Sequence, residues 1–177
     1  MAIDPQTYLE KEILDDGTKI TIRAIRPEDR VNVLEAFKGL DREAVYRRFF
    51  SPKKELTDAE LKGLTSVDFT HVIALVATTK SNKGETLLGG GRFAVDDPKN
   101  PQGAELAFLT AEAYRGRGVA GRLLRHLTRL AETLGLERLE ADVLAENRAM
   151  LTVFKHSGLP MRQRQEAGTV HVTLSLT

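Results

Sequence analysis

Between Tyr114 and Leu124 the chain reads YRGRGVAGRLL, which sets Gly116, Gly118 and Gly121 among Arg115, Arg117 and Arg122 just ahead of an amphipathic helix. Few arrangements use such a segment. Glycine lets a backbone turn through left-handed conformations and approach a ligand closely. A helix start presents free amides at the positive end of its dipole. The arginines add full positive charges at the same end, as a ligand with several phosphates would require. The helix expected from about Gly118 to Leu134 carries Leu123, Leu124, Leu127, Leu130, Ala131 and Leu134 on one stripe. Arg122, Arg125, Arg129 and Glu132 lie on the other. Arg125 and Arg129 read as a solvated face, whereas Arg115 and Arg117, flanked by glycines, read as ligand-binding.

The spacing Gly116-x-Gly118-x-x-Gly121 is also the dinucleotide fingerprint, and Glu140 and Asp142 lie near where a ribose-binding acid belongs. Architecture argues against that reading. The polar segment TAEAYR, residues 110–115, separates the preceding strand from the first glycine. Only one helix and a hairpin follow residue 146, too little for further parallel strand-helix units. An ATP-binding P-loop is excluded because no Gly-Lys-Ser/Thr follows the glycines.

Residues 8–25 alternate like a hairpin about the turn Asp15-Asp16-Gly17, with Ile20, Ile22 and Ala24 on one face and Thr21 and Arg23 on the other. Helices are expected in RPEDRVNVLEAFKGL (26–40), in DREAVYRRFF (41–50) and in TDAELKGL (57–64), the last capped by Thr57. Strands are expected in residues 71–79, 86–95, 103–110 and 136–145, a helix in 146–158, and a closing hairpin in 159–176 turned at Ala167-Gly168. Gly89–Gly91 marks a bulge or a close approach to the sheet, and Lys80–Lys83 a solvated turn. Phe49 and Phe50 beside Arg47 and Arg48 read as packing of a short helix rather than a nucleic-acid surface. The order describes one domain over residues 1–177, of mixed α/β (α+β) class, with mostly antiparallel strands around a single strand-helix-strand unit.

Composition narrows the chemistry. With 177 residues, 41% hydrophobic and 29% charged, the chain can bury a core of its own. It has no cysteine, which excludes disulfides, thiolate metal sites and cysteine nucleophiles. His71, His126, His156 and His171 show no metal-binding spacing, so no metal is expected. The longest apolar run, Val72–Ala77, is far short of a membrane span. The N-terminus lacks the basic and apolar regions of a secretory signal, which makes a cytoplasmic location the expectation. A net charge of +1 gives no general attraction to nucleic acid or membrane.

The run Arg115-x-x-Gly118-x-Ala120 resembles the pyrophosphate-binding motif of the GNAT superfamily of acyl-CoA-dependent N-acyltransferases, and ADVLAENRAMLTVFKHSGL resembles the strand-helix segment that follows it there. Upstream, IRAIRPED, YRRFFSP, LTSVDFTHVIALVA and LLGGGRF are similar to the catalytic domain of bacterial Pat-type protein lysine acetyltransferases. The resemblance covers roughly residues 18–176. It implies a central, mostly antiparallel twisted sheet of about seven strands with a splayed parallel pair and flanking helices. It also implies acetyl-CoA as co-substrate and an amine acceptor, a protein lysine first and a small amine second. A monomer or a homodimer fits it equally.

The implied reaction needs a neutral amine, so a carboxylate must accept its proton. Glu105 matches the glutamate that serves as general base in the Pat-type group, with Glu140 and Asp142 as reserves. The likeness assigns cofactor binding to the backbone of Phe108, Leu109 and Thr110, to the segment Arg115, Gly116, Arg117, Gly118, Val119, Ala120, Gly121 and Arg122, and to Asn147, which reads first as a helix cap. Two departures stand out. Phe154 occupies the position where many members place a tyrosine that protonates the leaving thiolate, and Gly158-Leu159 replaces the usual Gly-Phe. A non-catalytic acyl-CoA sensor and an arginine-rich nucleic-acid-binding module are the competing classes.

Overall fold

The computed structural model describes residues 3–38, 57–110 and 116–177. The helix expected in residues 41–50 and the side chain of Arg115 lie outside them. Eight strands form one sheet in the order β1-β2-β3-β4-β5-β6-β8-β7, where about seven were expected, and its mostly antiparallel character is as anticipated. The strands are β1 Leu9–Ile13, β2 Lys19–Ala24, β3 Val72–Ser81, β4 Gly84–Val95, β5 Gly103–Thr110, β6 Arg138–Leu144, β7 Met161–Glu166 and β8 Thr169–Ser175. The described helices are α1 Arg30–Lys38, α2 Asp58–Thr65, α3 Val119–Thr133 and α4 Arg148–Lys155. Among the described strands only β5 and β6 pair in parallel, and the chain crosses back over the sheet between them through α3.

The two faces of the sheet have different covers. On one, Leu123, Leu124, Leu127 and Leu130 of α3 are buried against Ile22, Ile73, Leu75, Phe93, Leu106 and Leu139 of the strands. On the other, Val33 of α1 and Leu61 of α2 pack on Ala74 and Val76 of β3, with Ile25 completing the cluster. Among the described residues this second cover stops at the first half of the sheet. Strands β5, β6 and β8 therefore leave Glu105, Asp142 and their neighbours accessible on the α1 side, with Glu105 and Asp142 exposed.

Local signals explain the helix starts. Thr57 caps α2 reciprocally: its hydroxyl accepts from the Glu60 amide at 3.1 Å and its own amide donates to Glu60 Oε1 at 3.3 Å. Between β3 and β4 the register slips as Ala77↔Gly89 gives way to Thr78↔Leu87. The bulge thus falls one residue ahead of the glycine run. Gly91 supplies the close approach: a methyl group there would lie 2.8 Å from the Phe108 ring and 3.0 Å from Leu127.

Alternation placed Arg23 opposite the buried face of its strand, yet it is only 3% exposed. Its Nη1 and Nη2 donate to Asp29 Oδ2 and Oδ1 at 2.9 and 2.6 Å, and Nη2 also donates to Glu85 Oε1 at 2.6 Å. Asp29 accepts the Arg26 amide at 2.7 Å as well. One buried cation thus joins β2, β4 and the turn into α1. Removing a partner from a buried ion pair strands the other charge, at about 3 kcal/mol. Asp29→Asn is therefore expected to lower unfolding free energy by about that much in urea titrations, and a change near zero would show the network to be dispensable.

Candidate active site

Strands β5 and β6 meet at only three registered positions, Gly103↔Arg138, Ala104↔Leu139 and Glu105↔Glu140. Beyond them β5 stays paired with β4 as far as Thr110, and β6 with β8 as far as Leu144. The parallel pair therefore opens into a wedge immediately after Glu105, leaving the inner edge of Leu106–Thr110 without a ladder partner. Backbone groups so exposed can bind an extended ligand arm, since they need hydrogen-bond partners. Phe108 and Phe154 form one wall, with rings 6.2 Å apart at 65°. Phe154 is 1% exposed and carries no proton to give.

Strand alternation turns Ala104 and Leu106 into the core and Glu105 to the opposite, exposed face. Among the described residues Glu105 makes no hydrogen bond or ion pair. Its neighbours across the register are acidic and interlinked. Glu140 lies 3.6 Å from Arg138 Nε and 3.3 Å from His171 Nε2, and His171 Nδ1 lies 2.7 Å from Asp142 Oδ1. Hydrogen bonding to Asp142, then to Glu140, raises the His171 pKa against the opposing effect of burial. Burial and the nearby Glu140 charge raise Asp96. The floor beside the wedge attracts cations.

At the wide end of the wedge lies the glycine-arginine loop. Gly116 and Gly118 take φ values of 74° and 86°, a left-handed region that strains other residues. Gly118 is the N-cap of α3 and supplies no side-chain cap, so the first amides of the helix keep their capacity for an anion. Val119 sends its side chain into the core, 1% exposed, and can offer only its backbone. A methyl group at Gly116 or Gly121 would meet nothing within 4 Å. The loop is open on that side. Asn147 caps α4, its Oδ1 accepting from the Met150 amide at 3.3 Å.

The side chains of Arg117 and Arg122 point elsewhere. Arg117 Nε donates to Asp16 Oδ2 at 2.6 Å and Nη2 to Thr18 Oγ1 at 2.7 Å. Arg122 donates from Nη2 to the Ile13 carbonyl at 3.2 Å and to Asp15 at 3.3 Å, and from Nη1 to the Gly118 carbonyl at 3.4 Å. Both therefore lean on the β1–β2 hairpin. Arg125, read as solvated, donates to Glu12, and Arg129 lies 3.8 Å from Glu10. Glu12 also accepts from Nε2 of the buried His126, whose Nδ1 lies 2.5 Å from the Tyr8 hydroxyl. A carboxylate can only accept, so with neutral imidazole the Tyr8 hydroxyl is the donor to Nδ1. Burial works to raise the Glu12 carboxyl, and the bonds from His126 and Arg125 outweigh it, leaving its pKa lowered. No spacing in the sequence announces these contacts, which join residues more than 95 positions apart.

The match to known proteins follows the same outline. Residues 42–159 match the acetyltransferase (GNAT) family. The chain is 31% identical over 139 residues to acetyltransferase PA5475 of Pseudomonas aeruginosa, covering 78% of this chain and 74% of that one. It is 31% identical over 154 residues to acetyltransferase Pat of Mycolicibacterium smegmatis, covering 87% of this chain and 45% of that longer protein. The GNAT domain of S. lividans PAT superposes with a TM-score of 0.83 at 28% identity, over 94% of this chain and 96% of that one. In fold alone, at 18% identity and a TM-score of 0.70 over 89% and 94% of the chains, it resembles yncA of Salmonella typhimurium, solved with its cofactor acetyl-CoA. Wedge, loop and fold define an acyltransferase scaffold. The chain belongs to the GNAT acetyltransferase family.

The residues present suit acetyl-CoA: the uncapped α3 start and left-handed glycines fit a diphosphate, and the unpaired edge of β5 fits an amide-bearing arm. The hairpin contact to the loop has its own pH signature. Hydrogen bonds from the Thr18 hydroxyl and amide, with Arg117 added, hold the Asp16 carboxyl down at about 2, below its reference of 3.8. A depressed carboxyl stabilises the fold above the unfolded pKa and stops doing so as pH falls through the folded one. Melting temperatures should therefore drop between about pH 4 and pH 2, and Asp16→Asn should flatten that part of the curve. An unaltered acid limb would contradict the contact.

Proposed function

We propose that the protein transfers an acetyl group from acetyl-CoA to a primary amine, with a protein lysine as acceptor and Glu105 as general base. The observation that carries this reading is the position of Glu105. It stands exposed and unpaired among the described residues, where the parallel pair ends and the wedge begins. An amine arriving there meets Glu105 together with Glu140 and Asp142, which favour a cationic acceptor. A lysine-like ammonium has a reference pKa of about 10.4 and no lone pair until it loses a proton. Glu105 takes that proton, the amine nitrogen bonds to the acetyl carbon, and the carbon–sulfur bond breaks. The nitrogen then releases its second proton to water and the departing thiolate takes one from water, since Phe154 has none to donate. Unpaired backbone amides along Phe108–Thr110 are suited to the charge that develops on the thioester oxygen. The likeness to Pat-type proteins supports lysine as the acceptor.

Glu105→Gln should bind acetyl-CoA like the parent and lose about 100-fold or more in kcat near neutral pH. The rate should recover as pH rises, because the solvent then deprotonates the amine without help. A rate that matches the parent at every pH would remove Glu105 from the role. The buried phenylalanine at position 154 favours one other reading, a non-catalytic acyl-CoA sensor. Release of free thiol in the presence of lysine peptides or small amines separates the two.

A further inference from the structure

The arginines of the loop invite the assumption that all of them reach for phosphate. The contacts of Arg117 and Arg122 suggest another division of labour. Arg117 presents two of its nitrogens to Asp16 and Thr18 of the hairpin turn, with Nη2 also 2.5 Å from Asp16 Oδ2. Asp16 is itself held by Thr18, through the hydroxyl at 2.6 Å and the amide at 3.0 Å. Arg122 returns to the loop it follows, bonding the Gly118 carbonyl, and a methyl group on Gly118 would lie 2.6 Å from its Nη1. The same guanidinium grips Ile13 and Asp15 at the other side.

The hairpin itself is anchored to α3. Glu12 accepts from both Arg125 and His126, and Tyr8, just ahead of β1, bonds His126. Loop, hairpin and helix are therefore three sides of one frame. A left-handed N-cap without a side-chain capping bond has little local reason to keep its amides aligned. The frame supplies that reason from outside the loop.

We infer that Asp16 is a positioning residue for the cofactor: through Arg117 it braces the loop so that the amides at the start of α3, rather than these two guanidiniums, hold the diphosphate. The inference rests on acetyl-CoA being the ligand and goes beyond it, because it makes an acidic residue favour an anion. Simple electrostatics has the opposite sign. Removing a negative charge near a polyanionic ligand strengthens binding when the charge acts only through space, and it would do so again if Asp16 merely sequestered a phosphate-binding arginine. The brace requires the reverse.

The test is calorimetric binding of coenzyme A to the whole chain as wild type, D16N, R117M and the double variant, with kcat measured at saturating acetyl-CoA. The brace predicts a dissociation constant raised about tenfold in D16N and in R117M, and no further rise in the double variant, because one contact is lost in all three. Turnover of D16N at saturation stays within about twofold, which a general loss of structure would not allow. Should D16N not fold, Thr18→Val removes only the hydroxyl bonds and carries the same comparison with a smaller loss. Binding by D16N that equals or exceeds the wild type overturns the brace, as do losses that multiply in the double variant. A wild type that binds no coenzyme A removes the acetyl-CoA reading itself, and the brace with it.

Discussion

The structure depends on where one parallel strand pair stops. Glu105 and Glu140 are the last registered residues between β5 and β6, and beyond them each strand keeps only its outer antiparallel neighbour. A sheet interior left without ladder bonds is costly unless a ligand or water satisfies it. Here the gap is held open by what flanks it. β4 and β8 keep the two strands regular, α3 fills the core beneath, and the Phe108–Phe154 pair lines the wall. Glu105 is thereby carried on a rigid strand at the mouth of the opening, a more exact support than a loop provides.

Charge divides along the same line. The floor beside Glu105 is acidic, with Glu140, Asp142 and Asp96 tied together by Arg138 and His171. The loop ahead of α3 is cationic, yet its arginines are balanced by Glu12, Asp15 and Asp16 of the hairpin. The net charge of +1 thus conceals an acidic floor and, at the start of α3, amides at the positive end of a helix dipole. One suits an amine and the other a phosphate-bearing donor, and the wedge lies between them.

Much of this was legible in residue order. The glycine spacing announced a left-handed turn ahead of a helix, the leucine stripe located the buried face of α3, and Thr57 with Glu60 announced a cap, because each is a local signal read over a few residues. The resemblance to Pat-type enzymes singled out Glu105, which no pattern of its own would have marked. The burial of Arg23 was not legible because alternation distinguishes faces and not burial, and its guanidinium is enclosed by Asp29 and Glu85. Arg125 and Arg129 on the outward stripe of α3 are exposed as expected, and they also meet the hairpin. Nothing within Glu12, Asp16 or His126 declares a partner about a hundred residues away, and only the order of strands in the sheet brings them together.

Crystals of the chain grown with acetyl-CoA test the central claim most directly. The account predicts the diphosphate on the amides at the start of α3, the acyl arm in the wedge against β5, and the thioester directed toward Glu105. A diphosphate bound anywhere else, or a thioester facing away from that carboxylate, would contradict it.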